Sequence, residues 1–283
     1  MAEIRVVDAS LVEDTVARLL LRANLHLPSD IAAVADAAEQ CDGCPLARDV
    51  MARLRENREA AERIEIPICQ DTGMAIVFID VGEEVHISGN LNDAVNRATA
   101  RAYVDGYMRL SVVSDPLYAR KNTNNNTPAI IHLRIVPGDR ITVNVMPKGF
   151  GSENMSALRM FTPSATEDDV VRFVLDTVSA AGSNPCPPII VGVGIGGDFE
   201  YSALLAKRAL LRPLDQRNGS QSYAALESRL LSEINALGIG PQGFGGDTTA
   251  LGVAVEFAPT HIAGLPVAVN ISCHVTRHAT AII

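Results

Sequence analysis

A chain of 283 residues that is 47% apolar is long enough to bury one large core or two smaller ones, yet it holds no unbroken apolar stretch of membrane-spanning length. Its formal net charge of −9 argues against nucleic acid and an anionic membrane as partners, but says little about a small anionic substrate, which a few local cations decide. Five cysteines, an odd number, behind a start (Met-Ala-Glu-Ile-Arg) without the basic-then-apolar order of a secretory signal, point to a reducing cytoplasm rather than a disulfide framework.

In chain order, residues 8–63 read as helical. Asp8 or Ser10 supplies an N-cap, and Leu11, Val12, Val16, Leu19 and Leu20 recur at the spacing of one helix face. Leu27-Pro28-Ser29-Asp30 combines a break with a fresh cap, so a second helix is expected over residues 29–39 and a third over 45–63. Cys41-Asp42-Gly43-Cys44 would form the turn between them; its CxxC has no second pair downstream, so no complete zinc site is visible. From residue 64 the pattern changes. Runs at 76–81, 129–135, 141–145, 189–193, 250–257 and 268–271 read as strands, and residues 91–110, 167–181, 199–211 and 223–237 as helices. Helices grouped first and strands in near-adjacent pairs predict an α+β fold rather than a regular doubly wound sheet. The expected organisation is one domain over residues 1–283: a helical N-terminal segment (1–63), then mixed β-sheets with flanking helices (64–283) whose loops would hold a site.

Several loops are candidates for that site. Gly192-Val-Gly194-Ile-Gly196-Gly197 follows a strand, precedes a helix and satisfies the spacing GxGxxG. A dinucleotide site also needs a second strand ending in an acidic residue about 20 residues further on. Residues 211–219 are instead a polar loop, which leaves an NAD-dependent oxidoreductase only as an alternative. The glycines otherwise suit a cluster, a carboxylate or tight packing. Lys148, Gly149 and Gly151 follow a strand as a second glycine turn, residues 240–249 form a third, and Lys121-Asn-Thr-Asn-Asn-Asn126-Thr127-Pro128 is a strongly polar loop.

Three cysteines stand in segments unsuited to a buried core thiol. Cys69 lies in Pro-Ile-Cys-Gln-Asp-Thr-Gly, Cys186 in Asn-Pro-Cys-Pro-Pro and Cys273 in Ile-Ser-Cys-His. Prolines on both sides of Cys186 forbid regular helix or central strand there, so its thiol is held in a loop. The three are too far apart in sequence for a local zinc knuckle. Thiolates gathered by the fold can hold an iron–sulfur cube at three of its irons, leaving the fourth open as a Lewis acid. Asp71, beside Cys69, could then serve as the acid for a departing hydroxyl, and His261 or His274 could tune a cluster or orient a carboxylate. The competing reading is a non-catalytic module with structural zinc, or thiols that are simply buried.

Taken together, Cys69-Gln-Asp-Thr-Gly73, Asn184-Pro-Cys-Pro-Pro188, the 191–197 run, Gly240-Pro-Gln-Gly243 and Ser272-Cys-His274 resemble the α-subunit of two-subunit class I (iron–sulfur) fumarases, which is similar to the L-tartrate dehydratase α-subunit. The resemblance runs from about residue 10 to the end of the chain. It implies a [4Fe-4S] cluster on Cys69, Cys186 and Cys273, with Gln70, Asp71, Arg109, Gly151 and His261 in the substrate site and Asp71 as acid partner of the leaving water. Lys148, with Arg109, would offset the charge of a dicarboxylate substrate. It also implies a β-subunit carrying the catalytic base and further cations, in an α2β2 heteromer. Asn-Thr-Pro at 126–128 and the 147–154 segment look like the fumarase versions, so the expected reaction is reversible hydration of fumarate to (S)-malate, a tricarboxylic acid cycle step. Tartrate dehydration is the alternative, because related pockets separate such substrates by a few polar contacts.

Overall fold

The computed structural model describes residues 4–283, so residues 1–3 of the start read above lie outside them. In chain order the elements are β1 (Arg5–Asp8), α1 (Ala9–Leu25), α2 (Ser29–Cys41), α3 (Pro45–Ile64), β2 (Met74–Gly82), β3 (Val85–Ser88), α4 (Leu91–Asp105), β4 (Ile130–Val136), β5 (Ile141–Lys148) and the short α5 (Phe150–Glu153). They continue with β6 (Ala157–Phe161), α6 (Glu167–Ala181), β7 (Ile189–Gly197), α7 (Phe199–Ala209), α8 (Gln221–Asn235), a 3-10 turn (Pro241–Gly243), β8 (Ala250–Thr260), β9 (Leu265–Ser272) and β10 (Ala279–Ile282). The α+β expectation holds. Among the described residues no helix is long and apolar enough to cross a membrane.

Local signals account for most boundaries. Asp8 caps α1 by accepting from the Ser10 amide at 2.8 Å. Thr166 and Asp169 form a reciprocal capping box at the start of α6, and Val170, Val174, Val178 and Ala181 recur on its buried face. The helix expected over 91–110 stops earlier, at Asp105. Gly106 caps it, Tyr107 takes a left-handed φ of 52°, and the Met108 amide returns to the Tyr103 carbonyl at 3.0 Å, which turns Met108 into the core. Strands β1, β3, β6 and β10 were not expected from the sequence. Each has five residues or fewer, too few for an alternation to register.

The chain divides into two compact units. One takes the chain up to Pro28, Arg58–Gly149 and Arg277–Ile283. It contains a parallel β1–β3 pair and a four-stranded sheet in the order β10-β5-β2-β4, with β2 parallel to β4 and antiparallel to β5. Ala75, Val77, Ile79 and Val81 of β2 pack with Val12, Val16 and Leu20 of α1 and with Val95, Ala98 and Ala102 of α4. The other unit comprises Ser29–Asn57 and Phe150–Thr276. Its sheet runs β6-β9-β7-β8, and its core joins Val191, Val193, Val255, Val267 and Val269 to Val174 of α6 and Leu230 of α8. The expected N-terminal helical segment thus contributes to both units.

The 192–197 glycine run corrects an expectation. It is not a turn opening a helix: all four glycines belong to β7, paired with β8 on one side and, over residues 190–195, with β9 on the other. A methyl at Gly192 would lie 2.1 Å from the Ala206 carbonyl oxygen, and one at Gly194 would lie 2.0 Å from that of Ser202. These glycines let α7 approach the sheet backbone to backbone, and a strand presents no phosphate-binding turn.

Candidate active site

In the first unit, residues 69–73 make a turn between α3 and β2. The Ile68 amide is tied to the Asn24 carbonyl at 3.0 Å, which anchors the approach to Cys69. Asp71 accepts from the Gly73 amide at 3.0 Å, an Asx turn that directs its carboxylate. Thr72 donates to the Arg109 carbonyl at 3.0 Å, and Tyr103 donates to the Thr72 carbonyl at 2.8 Å. Burial raises the Tyr103 phenol well above its usual range, against the opposing charge of Arg277, so it remains a donor. Asn126 is fully buried, receives the Ser111 amide and donates to the Gly73 carbonyl at 3.1 Å. The polar 121–128 loop is therefore stitched to this turn by Asn126.

Gly73, at φ +76°, runs so close to β5 that a methyl there would sit 2.7 Å from the Lys148 carbonyl carbon. Lys148 is buried, and its ammonium donates to the Gly149 carbonyl at 3.3 Å. A methyl at Gly149 would in turn meet an Asp71 carboxylate oxygen at 3.0 Å. Gln70 and Arg109 are exposed beside the turn, and Cys69 is half-buried. This unit therefore gathers Asp71 and Lys148 about Gly149.

In the second unit β7 and β9 are antiparallel, with Ile190 opposite Ser272, so the start of one lies beside the end of the other. Cys186 precedes β7 and Cys273 follows β9; topology brings their loops to the same end of the sheet. The His274 amide donates to the Cys186 carbonyl at 3.3 Å, and His274 Nδ1 lies 3.0 Å from the same oxygen. A carbonyl only accepts, so Nδ1 carries the proton, and the 3.4 Å approach of the Gln242 amide nitrogen to it is a weak contact. Cys186 is exposed and takes a left-handed φ of 54°, as does Gln242 at 53°. Gln242 donates twice to the Pro187 carbonyl, through its backbone and side-chain nitrogens, each at 2.7 Å. Non-glycine residues in this region are costly, by roughly 1–3 kcal/mol each, and persist only where surroundings impose them. Here the His274 and Gln242 bonds do so.

Gly151, exposed on α5, lies near this loop: a methyl on it would be 3.8 Å from the Asn184 carbonyl oxygen. Glu153 pins α5 through an ion pair with Lys207 and a 2.9 Å bond from Asn270. His261 is placed elsewhere. It lies beyond Thr260, which pairs with Gly197, and is exposed at the opposite end of the sheet from both thiols, about 30 Å along a nine-residue strand. Cys186 and Cys273 thus share one end of this sheet and His261 stands at the other.

A profile described as Fumarate hydratase (Fumerase) matches residues 13–282. The chain belongs to the class I fumarase/tartrate dehydratase α-subunit family. It is 38% identical over 95% of its length, and 96% of the relative's, to a Methanocaldococcus jannaschii protein provisionally named L(+)-tartrate dehydratase subunit alpha. It is 30% identical to the L(+)-tartrate dehydratase subunit alpha of Escherichia coli strain K12, covering 95% of this chain and 90% of that one. The family is one of iron–sulfur hydro-lyases.

The thiols of this hydro-lyase chain suit such a group in their chemistry. Cys69, Cys186 and Cys273 all lie in loops, two of them half-buried and one exposed, and none is in a disulfide. Among the described residues no three or more His, Cys, Asp or Glu side chains converge as a single-ion site. A cube does not require that, since each thiolate binds its own iron. The sequence reading missed Arg277. It is buried, donates through Nε to the Pro147 carbonyl at 3.2 Å and through Nη2 to the Asp71 carbonyl. The only signal for it was a charged residue set between the Cys273 motif and an apolar C-terminal run. The holding roles of His274, Gln242 and Asn126 left no sequence trace beyond the motifs themselves.

Proposed function

We propose that this chain is the α-subunit of a two-subunit iron–sulfur dehydratase for small hydroxy diacids, with L(+)-tartrate as substrate. Fumarate hydration, the reaction expected from the sequence, gives way to its alternative because relatives named tartrate dehydratase align over 95% of the chain. The observation that carries the reading is the fastening of the Cys186 loop to the Cys273–His274 segment by two His274 bonds. That is an arrangement for presenting thiols, not for burying them.

Cys69, Cys186 and Cys273 are the proposed ligands of a [4Fe-4S] cluster, which when bound supplies an open iron as Lewis acid toward the departing hydroxyl. Asp71 gives its proton to that hydroxyl, which leaves one carbon as water. A base contributed by a β-subunit takes the proton from the neighbouring carbon, and the enol formed from tartrate becomes a 2-keto diacid. Gln70, Arg109, Lys148 and Gly151 are the proposed substrate contacts, with the two cations offsetting the dianion in an otherwise acidic protein. A β-subunit is supported by the α-subunit names of the relatives, and the proposed assembly is α2β2 in the cytoplasm.

Fumarate and malate form a second reading, favoured by the description of the matching family and by the 126–128 and 147–154 segments. Co-expression with the β-subunit, anaerobic purification and parallel assays on L(+)-tartrate, (S)-malate and fumarate decide between them. Keto-diacid formation from tartrate supports the first reading; turnover of malate and fumarate alone replaces it with the second. A protein without iron after reconstitution, inactive on all three, overturns both. Asp71→Asn should keep its iron and lose turnover; loss of iron instead would make Asp71 structural.

A further inference from the structure

We propose that Arg277 is a positioning residue for Asp71: its guanidinium clamps the 69–73 turn onto the end of β5 and fixes where the Asp71 carboxylate points. The inference rests on the reading of Asp71 as proton donor. Arg277 is 3% exposed, and its bonds go to two main-chain carbonyls from separate segments, Pro147 by Nε at 3.2 Å and Asp71 by Nη2. The Asx bond from the Gly73 amide fixes the carboxylate only relative to its own turn. The turn enters β2, whose Met74 pairs with Lys148 of β5, and the forked guanidinium adds a second tie between the two segments at Asp71 itself. Gly149 marks the result. A methyl there would lie 3.0 Å from the Asp71 Oδ2 and 3.9 Å from Arg277 Nη2, so the carboxylate and the guanidinium flank the same glycine.

Two further facts set Arg277 apart from an ordinary buried ion-pair partner. The Nε and Nη2 bonds both end on carbonyls, not on a carboxylate. Its Nη1 is buried with no hydrogen-bond partner among the described residues, a destabilising condition for a donor. The fork is the property that no other residue supplies: lysine keeps the charge but, as a compact point donor, cannot hold two carbonyls in one plane.

The test uses the anaerobically purified α–β holoenzyme carrying Arg277→Lys, with Arg277→Met and Asp71→Asn alongside. Readouts are kcat and KM separately, iron per chain, Tm, and hydrogen exchange at the Gly73 amide, whose acceptor is the Asp71 carboxylate. For Arg277→Lys we expect wild-type iron, a Tm within a few degrees, and kcat lower by roughly 10- to 100-fold, as a misplacement of about 1 Å produces. KM should stay within about threefold, because an interaction acting on the transition state is what is lost. Gly73 exchange should accelerate at least about tenfold. Wild-type kcat and exchange in Arg277→Lys, or a kcat that falls only in proportion to lost iron or folded protein, overturns the proposal. If Arg277→Met does not fold, the lysine variant decides. Full turnover by Asp71→Asn overturns the Asp71 reading itself, whereas faster Gly73 exchange in Arg277→Lys would still establish the clamp.

Discussion

Replacing Gly194 with alanine puts a methyl carbon 2.0 Å from the Ser202 carbonyl oxygen, 2.6 Å from the Ala206 amide nitrogen and 2.9 Å from the Leu205 Cβ. The two nearest atoms are helix backbone, so no side-chain rotation relieves the clash. Helix α7 must retreat by roughly 1 Å or more, since carbon contacts settle near 3.5 Å. That retreat loosens Leu205, Ala206 and Ala209, all buried. Overpacking costs about 1–3 kcal/mol, and backbone obstruction puts this case at the upper end. About 3 kcal/mol lowers Tm by roughly 6–12 °C in a unit of this size. Gly264→Ala is the control, because nothing lies within 4 Å of its added methyl, and it should shift stability by less than about 0.5 kcal/mol. Scanning calorimetry on the two variants beside the wild type gives the comparison. A Gly194→Ala protein that melts with the wild type would refute the close approach of α7 to β7. The same glycines are used for packing, so wild-type protein should show no saturable NADH binding by fluorescence; saturable binding would restore the oxidoreductase alternative.

Three other outcomes follow from particular contacts. Asp42 is buried and receives the Cys44, Asp247 and Thr248 amides; burial pushes its carboxyl up, but those bonds outweigh it and the net shift is downward. A lowered folded pKa means stability present above the ordinary carboxyl value and lost as pH falls through the folded one. Asp42→Asn should therefore cost about 2 kcal/mol at pH 7, with the deficit shrinking below about pH 4 in acid titrations followed by circular dichroism. Glu227 is 1% exposed, pairs with Arg212 and accepts from the Val255 and Asn218 amides; Glu227→Gln breaks a buried pair and should destabilise by about 3–5 kcal/mol in denaturant unfolding. After anaerobic reconstitution, Cys186→Ser should lose most of its iron while Cys41→Ser keeps it, by iron analysis; full iron in Cys186→Ser would remove that thiol from the proposed ligands.

Much of this chain was legible before folding. Breaks and caps located α2, α3 and α6, because each begins at a break, a proline or an N-cap, with a continuous apolar face added in α6, and these are properties of adjacent residues. The loop contexts of Cys69, Cys186 and Cys273 likewise follow from neighbouring prolines and polar residues. Motif spacing misled at Gly192–Gly197, since GxGxxG is satisfied equally by a phosphate turn and by a strand making room for a helix. The pairing of these glycines with β8 and β9 and the Cβ distances to Ser202 and Ala206 separate the two. Tertiary structure also decided what lies beside what. The antiparallel pairing of β7 with β9 sets Cys186 next to Cys273 and sends His261 to the far end of the sheet. The burial of Arg277 between the Pro147 and Asp71 carbonyls joins residues 130 and 206 positions away from it. Patterns along a chain encode local conformation, whereas hydrogen bonds across such separations exist only once the core has brought the segments together.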